Sequence, residues 1–200
     1  MTKVVQFPSP NPEKFGFRPV RKKKPGNEPD DRKQLSLFTG GKQISFHQHT
    51  PFDEALMLDE MHDPRAKETY QKAIEAGDSK ADAYCNLGIL ESKENNYSKA
   101  IDCFTLCLKE DPRHFEAHYN LANVYADIGN LGLAKIHYQI SIEIEPEFPN
   151  SYFNLGLTLA MNQELPEAIR ALHSYYSLAS PEDRVQAEEL IASLSRSLSI

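Results

Sequence analysis

Cys85-Asn86-Leu87-Gly88, Tyr119-Asn120-Leu121-Ala122 and Phe153-Asn154-Leu155-Gly156 are three versions of one phrase, each separated from the next by 34 residues. A fixed period of that length is the signature of stacked helix-turn-helix units, in which each unit buries its apolar face against its neighbours. Windows starting at Ala81, Phe115 and Pro149 align without a gap. Gly88, Ala122 and Gly156 superpose where a small side chain lets two helices approach. Ala100, Ala134 and Ala168 follow, then the bulky Phe104, Tyr138 and Leu172. Pro112 and Pro146 close the first two windows, and Pro181 lies one residue late in the third. Tyr84, Leu87, Gly88 and Glu91 fall at helical spacing, which gives each first helix a face for its partner.

This order of large, small, alanine, aromatic and proline positions resembles the tetratricopeptide repeat (TPR) family. The resemblance covers residues 81–182 and implies an all-α solenoid with units at 81–114, 115–148 and 149–182. A degenerate unit is expected at 47–80, where Ala66, Tyr70 and Ala73 match the second-helix pattern. Its first helix, around Phe52–Glu60, fits once one residue is deleted near His62-Asp63-Pro64. Ser180-Pro181-Glu182-Asp183 has the form of a helix start. Leu190, Ile191, Leu194 and Leu198 then make an apolar stripe, so residues 183–200 are read as a helix that covers the end of the array.

Beside the packing stripe runs a second one. Asp82, Asn86, Ile89 and Lys93 share a helix face, as do Glu116, Asn120, Asn123 and Asp127, and then Asn150, Asn154, Leu157 and Met161. The resemblance implies that these positions line a concave surface and that the repeated asparagines form a ladder for an extended peptide. A side-chain amide both donates and accepts, so it can satisfy a peptide backbone whatever side chain the peptide carries. Asn86, Asn120, Asn123 and Asn154 are therefore the candidate partner contacts. Ile89, Leu157, Tyr119 and Phe153 are candidates for side-chain pockets, and the last two are read equally as core. Acidic Asp82, Glu116 and Asp127 favour a neutral or basic protein or peptide segment as partner. Asn120→Ala with Asn154→Ala is expected to weaken partner capture and leave the array folded.

Charge is divided along the chain. Residues 1–46 hold 10 basic and 4 acidic side chains, whereas the remainder holds 12 basic and 25 acidic ones. Residues 1–46 read as a basic tail, and the many prolines between Pro8 and Pro29 predict disorder over 1–33. Arg21-Lys22-Lys23-Lys24 reads as a solvated charge run, with nucleic-acid contact or a visit to the acidic groove of its own array as alternatives. Gln34-Leu35-Ser36-Leu37-Phe38 resembles the pentapeptide by which bacterial replication and repair proteins engage the DNA sliding clamp. In that motif Gln34 supplies polar contacts, while Leu35, Leu37 and Phe38 complete the pattern and the last two fill an apolar pocket. The same residues alternate as a hairpin strand would over 34–46, with Gly40-Gly41 as its turn.

No phosphate loop, paired-cysteine zinc pattern or nucleophile elbow occurs. Cys85, Cys103 and Cys107 are an odd set, read as reduced thiols. His114/His118 and His47/His49 lack a third ligand, so no metal and no cofactor are assigned. No apolar run is long enough to span a bilayer and no secretory signal follows the first residues, so a cytoplasmic chain with no membrane partner is expected. The expected function is a non-enzymatic adaptor that binds an extended segment of a partner protein on the concave face. A clamp-tethered replication or repair accessory and the regulatory subunit of an enzyme are the alternatives.

Overall fold

The computed structural model describes residues 12–21 and 50–198. Gln34, Leu35, Leu37 and Phe38, the hairpin read over 34–46, Lys22–Lys24, and His47 and His49 lie outside the described residues.

Among the described residues there are helices and no strands. They run α1 (Pro51–Glu60), α2 (Ala66–Ala76), α3 (Lys80–Lys93), α4 (Tyr97–Glu110), α5 (Phe115–Asp127), α6 (Leu131–Ile144), α7 (Pro149–Met161), α8 (Leu165–Leu178) and α9 (Pro181–Leu198). Each odd helix from α1 to α7 packs on the even helix that follows. Each even helix then packs on the next pair, and α9 lies against α8. Contacts between α3 and α5 and between α5 and α7 align the first helices of successive pairs in one layer. The arrangement is an all-α solenoid.

The small positions set the spacing within each pair. A Cβ placed on Gly88 would lie 2.9 Å from the Phe104 ring, and one on Gly156 would lie 2.8 Å from Leu172 Cγ. Ala122, fully buried, occupies the same position opposite Tyr138. The turn between the helices of a pair also repeats. Asn95, Gly129 and Gln163 adopt φ of 62°, 78° and 65°, one per unit at the 34-residue period. His62 does the same between α1 and α2 with φ 55°, one residue out of phase, which locates the irregularity of that pair in its turn. Side chains close several helix starts: Thr50 Oγ1 accepts from Asp53 N–H, Asn130 Oδ1 from Leu133 N–H and Ser180 Oγ from Asp183 N–H.

Candidate functional site: an asparagine ladder along the groove

The first helices α3, α5 and α7 place Asn86, Asn120 and Asn154 in a row, all at most 1% exposed. A buried amide requires partners for its donors and its acceptor. Each asparagine finds them in the chain's own residues 15–20. Asn154 Oδ1 accepts from Phe15 N–H at 2.8 Å, and its Nδ2 donates to Phe15 O at 2.9 Å. Asn120 brackets Arg18 in the same way, with both distances 2.8 Å. Asn86 brackets Val20 at 2.8 and 2.9 Å. The segment therefore runs opposite to the order of the units, from α7 back to α3.

The disorder expected of residues 1–33 does not extend to 12–21. This described stretch, residues 12–21, has no helix or strand. It nevertheless lies fixed in the groove, because the ladder supplies the backbone partners that a sheet would otherwise provide.

Further groups complete the cradle. Tyr119 Oη donates toward Phe15 O and Gly16 O at 3.2 and 3.0 Å, and Asn123 Nδ2 donates to Gly16 O at 3.2 Å. Burial pushes the Tyr119 hydroxyl up to about 12, so it remains a donor across the physiological range. Phe153 meets Phe15 edge-on, with ring centroids 5.0 Å apart. Ile89 belongs to the core cluster that contains Val20, and Leu157 to the one on which Phe15 packs. Tyr119 and Phe153 are thus core and groove lining at once.

Three features had no signal in the repeat pattern. Tyr175 stands 6.0 Å from Phe15, centroid to centroid, as the second wall of its pocket. The Arg18 guanidinium lies over Phe148 and Phe115, at 4.4 and 5.1 Å from their centroids, and 3.8 Å from Glu116. Lys14 pairs with Asp127 at 3.3 Å. Two of the three acidic side chains expected to favour a basic segment, Glu116 and Asp127, therefore do face one. Asp82 does not: it receives His114 Nε2 at 3.0 Å, while His114 Nδ1 accepts from Ala117 N–H and caps α5. That pattern puts the imidazole proton on Nε2.

The asparagines also bond to one another's neighbours. Asn154 Nδ2 reaches Asn123 Oδ1 and Tyr119 Oη, and Tyr138 Oη donates to Asn123 Oδ1. Asn120, by contrast, makes among the described residues of the array only a long contact to Cys85 Sγ at 3.6 Å. Asn120→Ala is accordingly the cleaner probe of the groove, and Asn154→Ala also disturbs a buried network.

No cluster of three or more metal-ligating side chains occurs among the described residues. The three cysteines are free thiols, Cys85 and Cys107 in the core between α3 and α4. No described helix is long and apolar enough to cross a membrane.

Tetratricopeptide repeat models match residues 81–114, 103–135 and 137–170. The chain is 25% identical over 166 residues to the tetratricopeptide repeat-containing protein trd-1 of Caenorhabditis elegans, covering 82% of this chain and 22% of that protein. It is 37% identical over 114 residues to the protein O-mannosyl-transferase TMTC3 of Homo sapiens, covering 54% of this chain and 12% of that one. This chain therefore spans less than a quarter of either relative. Among solved structures, the first TPR of Spaghetti (RPAP3) bound to an HSP90 peptide is similar with a TM-score of 0.57 at 21% identity, over 61% of this chain and 95% of that one. At such identity the likeness is one of fold. The repeat period, the helix pairing and the matched models agree that the body of this chain is a tetratricopeptide-repeat solenoid.

Proposed function

We propose that this protein is a non-enzymatic adaptor whose concave face captures an extended segment of a partner protein. The observation that carries this reading is the ladder: three buried asparagines, one per unit, each bonded to both the N–H and the C=O of a single residue of an extended chain. Backbone bonds of this kind supply affinity without fixing sequence, and flanking pockets add selectivity. Asn86, Asn120, Asn123 and Asn154 are the backbone contacts, with Ile89, Leu157, Tyr119 and Phe153 as the walls beside them. The solved relative holds the peptide SRMEEVD, which carries acidic residues near its end. Here Glu116 and Asp127 meet Arg18 and Lys14, so the groove is suited to a neutral or basic segment.

The test is cross-linking mass spectrometry on full-length protein with partners captured from native lysate. Cross-links from a partner segment to α3, α5 and α7, reduced at least fivefold by Asn120→Ala in an equally helical protein, are the expected result. Partner cross-links that fall on the outer helices α4, α6 and α8 and are indifferent to Asn120→Ala would contradict the adaptor reading.

A further inference from the structure

An adaptor groove of this kind leaves open what sequence it selects, and the segment lying in it supplies an answer. This inference rests on the proposed function. The ladder reads only backbone, at Phe15, Arg18 and Val20, so any preference must come from side chains that enter pockets.

Two side chains do, and a third, the exposed Arg18, lies on an aromatic surface. Phe15 fits between Phe153 and Tyr175. Arg18 places its guanidinium over the Phe148 and Phe115 rings with Glu116 beside it, a geometry that suits a flat cation and not the compact ammonium of lysine. Val20 is 8% exposed and belongs to the core cluster of Cys85, Ile89 and Leu121. The remaining positions are read weakly or not at all. Glu13 and Pro19 are exposed, and a Cβ added at Gly16 would meet nothing within 4 Å, so glycine is not required there. Phe17 is half-buried and packs against the cluster that holds Val20, with Lys14 over its ring.

We infer that residues 15–20 are an internal copy of the partner's recognition element: an extended segment with an aromatic residue, an arginine three positions later and a β-branched aliphatic two positions after that. The partner must displace this copy to bind. Residues 22–49 join the segment to the array along the chain, and a covalent tether of such length holds it at an effective concentration on the order of 1 mM. If a free peptide of the same sequence binds with a Kd of about 10 μM, the groove is about 99% self-occupied and the apparent affinity for a partner falls about 100-fold.

The experiment compares full-length wild type with full-length Phe15→Ala/Arg18→Ala, both substitutions lying outside the helices of the array. The probe is a fluorescein-labelled peptide with the sequence of residues 11–21, titrated by anisotropy, and amide exchange at residues 12–21 reports release of the internal copy. The opened variant should bind the probe at least tenfold more tightly than wild type. A probe carrying Glu13→Ala/Gly16→Ala should bind within twofold of the native probe, and one carrying Phe15→Ala/Arg18→Ala should lose at least tenfold. Equal binding of all three probes would overturn the side-chain code and leave the adaptor reading standing. No binding of any probe, with residues 12–21 released, would overturn both. Residues 12–21 still protected in the double variant would show that Phe15 and Arg18 are not the anchors. A dimer in wild type that the tail substitutions abolish would assign the groove to exchange between two copies and overturn the partner proposal.

Discussion

A buried amide that bonds to a neighbouring chain in both directions is the unit from which this site is built. Its worth differs from rung to rung. Asn154 holds Phe15 but also donates to Asn123 and Tyr119, so Asn154→Ala removes a donor from a buried network inside the array. Urea unfolding should show a loss of about 1–3 kcal/mol for Asn154→Ala and under about 1 kcal/mol for Asn120→Ala. Tyr175 carries the reverse situation. Its hydroxyl is buried and has no hydrogen-bond partner among the described residues. Tyr175→Phe should therefore raise the unfolding free energy by up to about 1 kcal/mol, read as a higher urea midpoint, without loss of the Phe15 pocket wall. The ladder was legible because packing alone has no reason to ask for the same amide three times. Phe115, Phe148 and Tyr175 were not, because their counterparts one unit away are Ala81 and Pro149, His114 and Glu182, and Ser141. A repeat search sees what recurs, and a specificity pocket is what does not.

At the level of elements, the turns between paired helices share a left-handed residue, and only Gly129 is a glycine there. Left-handed backbone costs a side-chain-bearing residue about 1 kcal/mol. Gln163→Gly should thus stabilise the protein by about 0.5–1 kcal/mol, and Gly129→Ala should destabilise it by a similar amount, both read as shifts in thermal midpoint. Between α5 and α6, His118 Nδ1 and His137 Nδ1 are 3.0 Å apart, and Tyr125 stacks on His137 at 5.6 Å. Burial, reinforced by His118, pushes His137 down to about 4. The unfolded imidazole titrates near 6.5, so the unfolded chain binds the extra proton between those values and stability falls as pH drops through that window. Wild type should lose about 1 kcal/mol more than His137→Phe between pH 7 and pH 4.5, a figure kept small because the ring is only half-buried. Helix positions followed from the 34-residue period. The one-residue irregularity expected near His62 appears as a left-handed residue one position later than the period gives, in a connection of five residues where the later pairs have three.

Over the whole molecule, the charge division between tail and body becomes a contact. Lys14 and Arg18 of the basic tail meet Asp127 and Glu116 of the acidic array. Composition predicted disorder over 1–33, whereas residues 12–21 take a fixed place along the array. An extended segment has no periodicity of its own, and its order is imposed by partners far away in sequence. The exposure of the two ion pairs makes them weak and salt-sensitive, so the backbone bonds and the Phe15 and Val20 pockets dominate retention. The most direct measurement is amide hydrogen exchange at Phe15, Arg18 and Val20 in the full-length chain, beside Asn120→Ala. Protection of these three amides in wild type, with Arg18 losing it in Asn120→Ala, is the predicted result. Exchange at the rate of an unstructured peptide in wild type would contradict the claim that the ladder holds an extended chain.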